Sequence, residues 1–158
     1  MREEMFGSDW LLDGAIMMIE RILRVDNLAT EELAAMLAGA ELPLLFDVRT
    51  VGEYAKSRIA TAVRLDPDTG TDDFAKLYGS LIEGRDTVFY CSVGQRSSEL
   101  IERVENVCRH AGARSCRNLR GGIFRWYNEG RPVVDASGPT DDIDGYDPVW
   151  SVMVARRR

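Results

Sequence analysis

The residue best placed for covalent chemistry is Cys91, which opens the segment Cys91-Ser92-Val93-Gly94-Gln95-Arg96-Ser97 directly after the apolar run Thr87 to Tyr90. The run reads as a strand and the stretch from about Ser97 to His110 as a helix, so the cysteine occupies a strand-to-helix turn. At the carboxyl end of a parallel strand it stands where open α/β sheets bind ligands. The helix that follows turns unpaired N–H groups and the positive end of its dipole toward the loop, which stabilises an anion there. Since the thiolate is the nucleophile and not the thiol, this setting makes Cys91 a candidate catalytic nucleophile. Gly94 lets the backbone curl around the sulfur without a side-chain clash, and Arg96 adds a fixed positive charge with planar donors at the far end of the loop. The amides of Ser92, Val93, Gly94, Gln95 and Arg96 then form a candidate substrate-binding cradle for a persulfide anion or a donor's oxyanion. An isolated cysteine reads as a small buried hydrophobe; the Cys-x-x-Gly-x-Arg spacing on this turn is what points to catalysis.

The elements that must position this loop are legible as short apolar runs alternating with helical stretches, the pattern of a parallel sheet with crossover helices. The runs are Leu44 to Phe46, Ala62 to Leu65, Thr87 to Tyr90 and Ser115 to Leu119, each suited to a strand buried on both faces. Helices are expected over Val51 to Lys56, Asp73 to Leu81 and Ser97 to His110, the last burying Leu100, Val104, Val107 and Ala111. Ahead of them, residues 31–38 form a helix with Thr30 as its cap and Gly39 as its stop. Residues 8–24 form another, capped by Ser8, with one stripe of Leu12, Ile16, Ile19 and Leu23 beside a second of Leu11, Ala15, Met18 and Ile22. That arc is wider than a one-sided surface helix needs, so the second stripe is expected to be buried against the domain or across a symmetric homodimer. The expected organisation is a helical extension over residues 1–27, one domain over 28–134, and an irregular wrap and tail over 135–158 anchored by Trp150.

Composition narrows the classes of partner. The 158 residues carry 20 basic against 26 acidic side chains, a formal charge of −6 that offers no general attraction to nucleic acid or an anionic membrane. The one basic cluster, Arg156 to Arg158, reads as a solvated tail. The apolar stretch from Trp10 to Ile19 follows Glu3 and Glu4 and has no small-residue cleavage pattern, so it does not read as a signal peptide. It is also well short of the roughly 20 residues of a spanning helix. Three cysteines at unrelated spacings and a single His110 argue against a disulfide framework or a zinc site, and a reducing cytoplasm is expected. The Asp142 to Asp147 run is no calcium loop, because its bidentate position falls on Met153. Cys108 lies about three turns along the helix from the loop, on the order of 18 Å, and Cys116 lies on the strand beside that of Cys91. Both read as core cysteines, as Trp126 and Tyr127 read as core aromatics.

The loop CSVGQRS resembles the active-site loop of rhodanese domains. The resemblance extends in the correct order through LATEELAAML, LLFDVRTVGEY with Asp47, Arg49 and Glu53, RNLRGGIFRWYNEGRPVV, and a tail TDDIDGYDPVW similar to that of some single-domain members, about residues 28 to 150 in all. It implies an α/β fold: a five-stranded, mainly parallel sheet with helices on both faces. It also implies transfer of a sulfane sulfur, from a donor such as thiosulfate to a thiol, cyanide or sulfur-carrier protein acceptor, through a persulfide on Cys91. No metal or organic cofactor is implied. Arg96 would orient an anionic donor, while Asp47, Arg49 and Glu53 would support the loop. Where the family has a Gly-His-Ile-Pro-Gly-Ala turn, this chain reads Ser57-Arg-Ile-Ala-Thr-Ala, and Glu53 is an acid where thiosulfate-specific tandem enzymes are often basic. A phosphatase of the same fold needs five residues between Cys and Arg, and here there are four. The remaining alternative is a non-catalytic or regulatory module that uses the fold to bind a partner.

Overall fold

The computed structural model describes residues 2–155 and 157, with side chains from Gly7 onward. The chain runs α1 (Arg2–Ile22), β1 (Asn27–Leu28), α2 (Thr30–Leu37), β2 (Leu44–Asp47), α3 (Val51–Lys56), β3 (Val63–Arg64) and α4 (Thr71–Ile82). It continues through β4 (Asp86–Tyr90), α5 (Gln95–His110), β5 (Ser115–Leu119), α6 (Gly122–Asn128), the hairpin β6 (Val133–Asp135) and β7 (Gly138–Thr140), and a 3-10 turn, Trp150–Met153. The first five strands pair in parallel in the order β1-β5-β4-β2-β3.

From β2 the sheet grows outward through α3 to β3, and from β4 it grows the other way through α5 to β5. Right-handed crossovers to opposite sides cover opposite faces, so the loops after β2 and β4 diverge and leave a crevice between them. Alternate strand residues feed two cores. Leu45, Val88, Tyr90 and Leu119 pack with Leu12, Ile16, Leu33, Ile123, Phe124 and Trp126 on one face. Leu44, Phe46 and Phe89 pack with Phe74, Leu100, Ile101, Val104 and Cys108 on the other. Strands buried on both faces lack clean alternation, as expected of a parallel sheet.

Several local expectations are corrected. Ser8 does not cap α1, which begins at Arg2 and buries Ser8 within it. Thr30 is the first residue of α2 and not its cap, and its hydroxyl donates to the Glu129 carboxylate at 2.7 Å. Strand β1 went unread because a pair of residues has no periodicity. Residues 133–140, partly assigned to an irregular wrap, form an antiparallel hairpin. Arg156 and Arg158 lie outside the described residues, but Arg157 is no solvated charge: it donates to the Tyr127 and Arg131 carbonyls at 2.8 and 2.5 Å and stacks on the Tyr127 ring. Trp150 does anchor the C-terminal chain, packing against the first core.

Helix α1 lays Leu12 and Ile16 into the first core, each burial contributing about 1.5–3 kcal/mol. Ion pairs from Arg120 to Glu20 and from Arg125 to Asp13 tie it down beside the Cys91 loop. Its second stripe stays in water: Leu11, Met18 and Ile22 are exposed, as are Trp10 and Met17. Among the described residues no helix is long and apolar enough to cross a membrane.

Candidate active site

Cys91 directly follows Tyr90, the last residue of the central strand β4, and only 1% of it is exposed. The chain reaches α5 through Gly94, whose φ of +117° is open to glycine at little cost, and the Asn118 side chain lies against its bare Cα. This bend brings the Gly94 N–H to 3.1 Å from Cys91 Sγ. The opposite edge of the loop is also tied: Ile123 and Phe124, at the start of α6, donate to the carbonyls of Cys91 and Ser92 at 2.9 and 3.1 Å. These two bonds hold the Cys91 and Ser92 carbonyls against α6, while the Gly94 N–H faces the sulfur. The glycine pair makes this possible, because a Cβ on Gly122 would lie 2.4 Å from the Ser92 oxygen and 2.6 Å from that of Cys91.

The five residues of the predicted cradle divide by what their side chains do. Val93 is buried in the first core near Ile16 and Ile19 of α1. Ser92 donates its hydroxyl to Glu53 at 3.1 Å and accepts from Arg96 at 2.9 Å. Gln95 is exposed and reaches Glu99. Arg96 makes a two-pronged contact with Glu53, at 2.7 and 2.9 Å. Of these five residues, it is the Gly94 backbone N–H that reaches the Cys91 sulfur.

Glu53 is the fastener between the two diverging loops. It closes a capping box with Thr50 at the start of α3 and from there grips Arg96 and Ser92. Burial works against its ionisation, yet the Arg96 hydrogen bonds and charge outweigh this and hold the carboxyl below the usual glutamate range. Burial likewise opposes the Arg96 charge, and the Glu53 hydrogen bond, with electrostatic attraction from the groups around it, overcomes it and holds the guanidinium above its usual range. Arg96 thus lends its field to the Cys91 sulfur while its N–H groups hold the loop.

Asp47 and Arg49 lie deeper. Arg49 donates twice to Asp47, at 2.8 and 2.6 Å, and once to the Ser57 carbonyl, and both residues are fully buried. The Tyr90 hydroxyl donates to Asp47 and accepts from the Ile59 N–H, so this pair fixes the end of β2, the 57–59 turn and the residue before Cys91. Burial, reinforced by Asp47, pushes the Tyr90 phenol well up and keeps it a neutral donor. The altered turn has a backbone consequence: Thr61, where the family has its second glycine, adopts φ +72°.

Sequence reasoning missed a second polar chain at the sulfur. Ser97 Oγ lies 3.4 Å from Cys91 Sγ and 2.7 Å from Asn118 Oδ1, so its single proton serves one of them at a time. Asn118 in turn donates to Asn27 at 2.9 Å, joining α5, β5 and β1. Two buried serines, Ser97 and Ser98, in the first turns of an otherwise apolar helix face were the available signal. Cys108 and Cys116 were read separately, but the structure brings them together across α5 and β5. Their mutual hydrogen bond pulls the Cys108 thiol down and pushes the Cys116 thiol up. Arg120 is taken up by Glu20 of α1.

A doubly wound parallel domain with a curled cysteine loop, its sulfur met by the Gly94 N–H, at the carboxyl end of the central strand is the class of protein this fold and site define. The rhodanese-like domain family model matches residues 29–129. A sulfurtransferase of Allochromatium vinosum is 32% identical over 114 residues, covering 72% of this chain and 99% of the relative. The chain belongs to the rhodanese-like domain family. Solved structures share the fold: a Bacillus halodurans protein, at 19% identity and TM-score 0.58, covers 80% of this chain and 87% of its own. A rhodanese-related protein of Thermoplasma volcanium, at 21% identity and TM-score 0.53, covers 70% and 98%.

Proposed function

We propose that this protein is a sulfurtransferase that carries a sulfane sulfur on Cys91. The Cys91 thiolate attacks the outer sulfur of a donor, the donor's S–S bond breaks, and the leaving group departs with the electron pair: sulfite from thiosulfate, or a thiolate from a persulfide. An acceptor thiolate or cyanide then attacks the outer sulfur and returns the Cys91 thiolate, so no net oxidant is needed. The observation that carries this reading is the Gly94 N–H aimed at Sγ from a loop leading into a helix N-terminus. The remaining loop amides are the donors a terminal sulfur anion would meet. The family match and the similarity to a relative named a sulfurtransferase support the same chemistry. On this reading the acceptor is a small thiol, cyanide or a carrier protein in a reducing cytoplasm, where Cys91, Cys108 and Cys116 stay unpaired.

Incubation with thiosulfate or an organic persulfide is expected to add the mass of one sulfur to the Cys91 peptide, removable by cyanide. Cys91→Ser should lose both the added mass and turnover while keeping its melting temperature, since the swap is nearly isosteric. A Cys91→Ser protein that still accumulates the sulfur, or a wild type that takes up none from either donor, would replace this reading with that of a binding module.

A further inference from the structure

The C-terminal chain returns to the loop that holds Cys91. Beyond the hairpin, Lys56 at the end of α3 meets Asp142 at 4.0 Å, and the Tyr127 hydroxyl donates to the Asp141 carbonyl at 2.5 Å. The ring of Tyr146 then lies over the Arg96 guanidinium, its centroid 4.3 Å from the guanidinium carbon. The backbone is built to hold it there. Tyr146 has φ +71°, which a bulky residue rarely adopts. Its N–H is received by Asp144 at 2.9 Å, and Gly145 passes so close to Ser151 that a Cβ would lie 2.6 Å from the Ser151 Cβ. Asp147 accepts from the amides of Val149 and Trp150 at 2.8 and 2.9 Å, and Trp150, set edge-on to Tyr146 at 6.5 Å, anchors the segment to the core. A strained residue held this firmly beside a reactive group points to function.

The consequence is that Arg96 is closed on two sides. Glu53 and Ser92 occupy its edge, and Tyr146 covers a face. A small anion approaching the loop from the Tyr146 side meets the ring with Asp144 and Asp147 flanking it in sequence, and not a free guanidinium. We propose that Tyr146 is a specificity-determining residue: by capping Arg96 it turns small anionic sulfur donors away from Cys91 and favours donors that are neutral or bring their own positive charge. The substrate named here rests on the sulfur-transfer reading above; the cap itself does not.

Alkylation of Cys91 separates the two. Iodoacetate and iodoacetamide share a leaving group and differ in charge, and the rate at the Cys91 peptide can be followed by mass spectrometry in the full chain. Tyr146→Ala is expected to raise the iodoacetate-to-iodoacetamide rate ratio about threefold to fivefold, the factor of one surface cation–π contact. Tyr146→Phe keeps the ring and should keep the wild-type ratio. Tyr146 is 47% exposed, so its truncation leaves the core intact, and a strap that detaches altogether uncovers Arg96 just the same. With thiosulfate, Tyr146→Ala should lower KM by a similar factor at unchanged kcat. A ratio in Tyr146→Ala within about twofold of wild type overturns the proposal, as does a Tyr146→Phe protein that behaves like Tyr146→Ala. A ratio that shifts in a protein that never takes up sulfur would keep the cap and remove the sulfur-transfer reading.

Discussion

Glu53→Gln asks how much of the site is held by a single carboxylate. The carboxylate receives two N–H groups from Arg96 and the Ser92 hydroxyl, and it closes the cap of α3 with Thr50. The amide keeps one accepting oxygen but turns an NH2 toward Arg96 or Ser92, a donor against a donor, and removes the charge that neutralises the guanidinium. Hydrogen bonds to charged groups contribute about 1.5–3 kcal/mol. The Arg96 side chain is 19% exposed, so water can take up part of its charge, and the loss should fall toward the lower end, about 2 kcal/mol. In a chain of this size that lowers the melting temperature by roughly 4–8 °C. The pH dependence has a definite sign. The folded carboxyl lies below the unfolded value of about 4.3, so the stabilisation is complete above that value and is lost as pH falls through the lower folded one. The difference between wild type and Glu53→Gln should be constant from about pH 7 to 5 and close on further acidification. Thermal unfolding of both proteins across this range, with the rate of sulfur uptake at neutral pH, is the assay. A melting temperature within about 1 °C of wild type at pH 7, or a difference that grows on acidification, would refute the assignment of Glu53 as the fastener.

Arg96→Ala should reduce turnover with an anionic and a neutral donor by the same factor, since its N–H groups are committed to Glu53 and Ser92; a loss confined to the anionic donor would place the guanidinium on the substrate. Thr61→Gly should stabilise the domain by about 0.5–1 kcal/mol, because it releases a β-branched residue from a left-handed conformation at some cost in unfolded-state entropy. A lower urea midpoint at unchanged slope would count against it. Trp10, Leu11, Met17, Met18 and Ile22 leave a contiguous apolar face on α1 in water, and a large exposed apolar patch marks an interaction surface. Sedimentation should therefore show a homodimer, and Met18→Glu a monomer; a monomeric wild type at micromolar concentration would end the dimer reading.

How much of the molecule could be read from the sequence depends on the range of the interaction. Strand β5 and helix α3 fall on their expected residues, and α5 starts two residues earlier than its apolar pattern indicated. Each of these elements carries its own periodicity or turn signal within a few residues. The Cys91 loop belongs with them: strand, Cys-x-x-Gly-x-Arg and helix are contiguous, so the candidate cysteine, the curled backbone and the helix dipole are all local properties.

The roles of the side chains around that loop were decided by tertiary structure. Arg96 could be seen as a cation beside a cysteine, but its edge is filled by Glu53, 43 residues away, and its face is covered by Tyr146. Asn118 meets Ser97 only because α5 packs on β5, Asn27 meets Asn118 only because β1 pairs with β5 at the edge of the sheet, and Cys108 meets Cys116 only because α5 crosses over β5. Such contacts join residues that share no period, and a polar side chain in sequence does not record which partner will satisfy it. Backbone geometry within a turn follows from nearby residues, so the sequence alone determined where the Cys91 loop, the candidate site, sits. Whether a charge faces substrate or protein follows from the packing of distant segments, and that was decided only when the loops after β2 and β4 and the C-terminal chain came together.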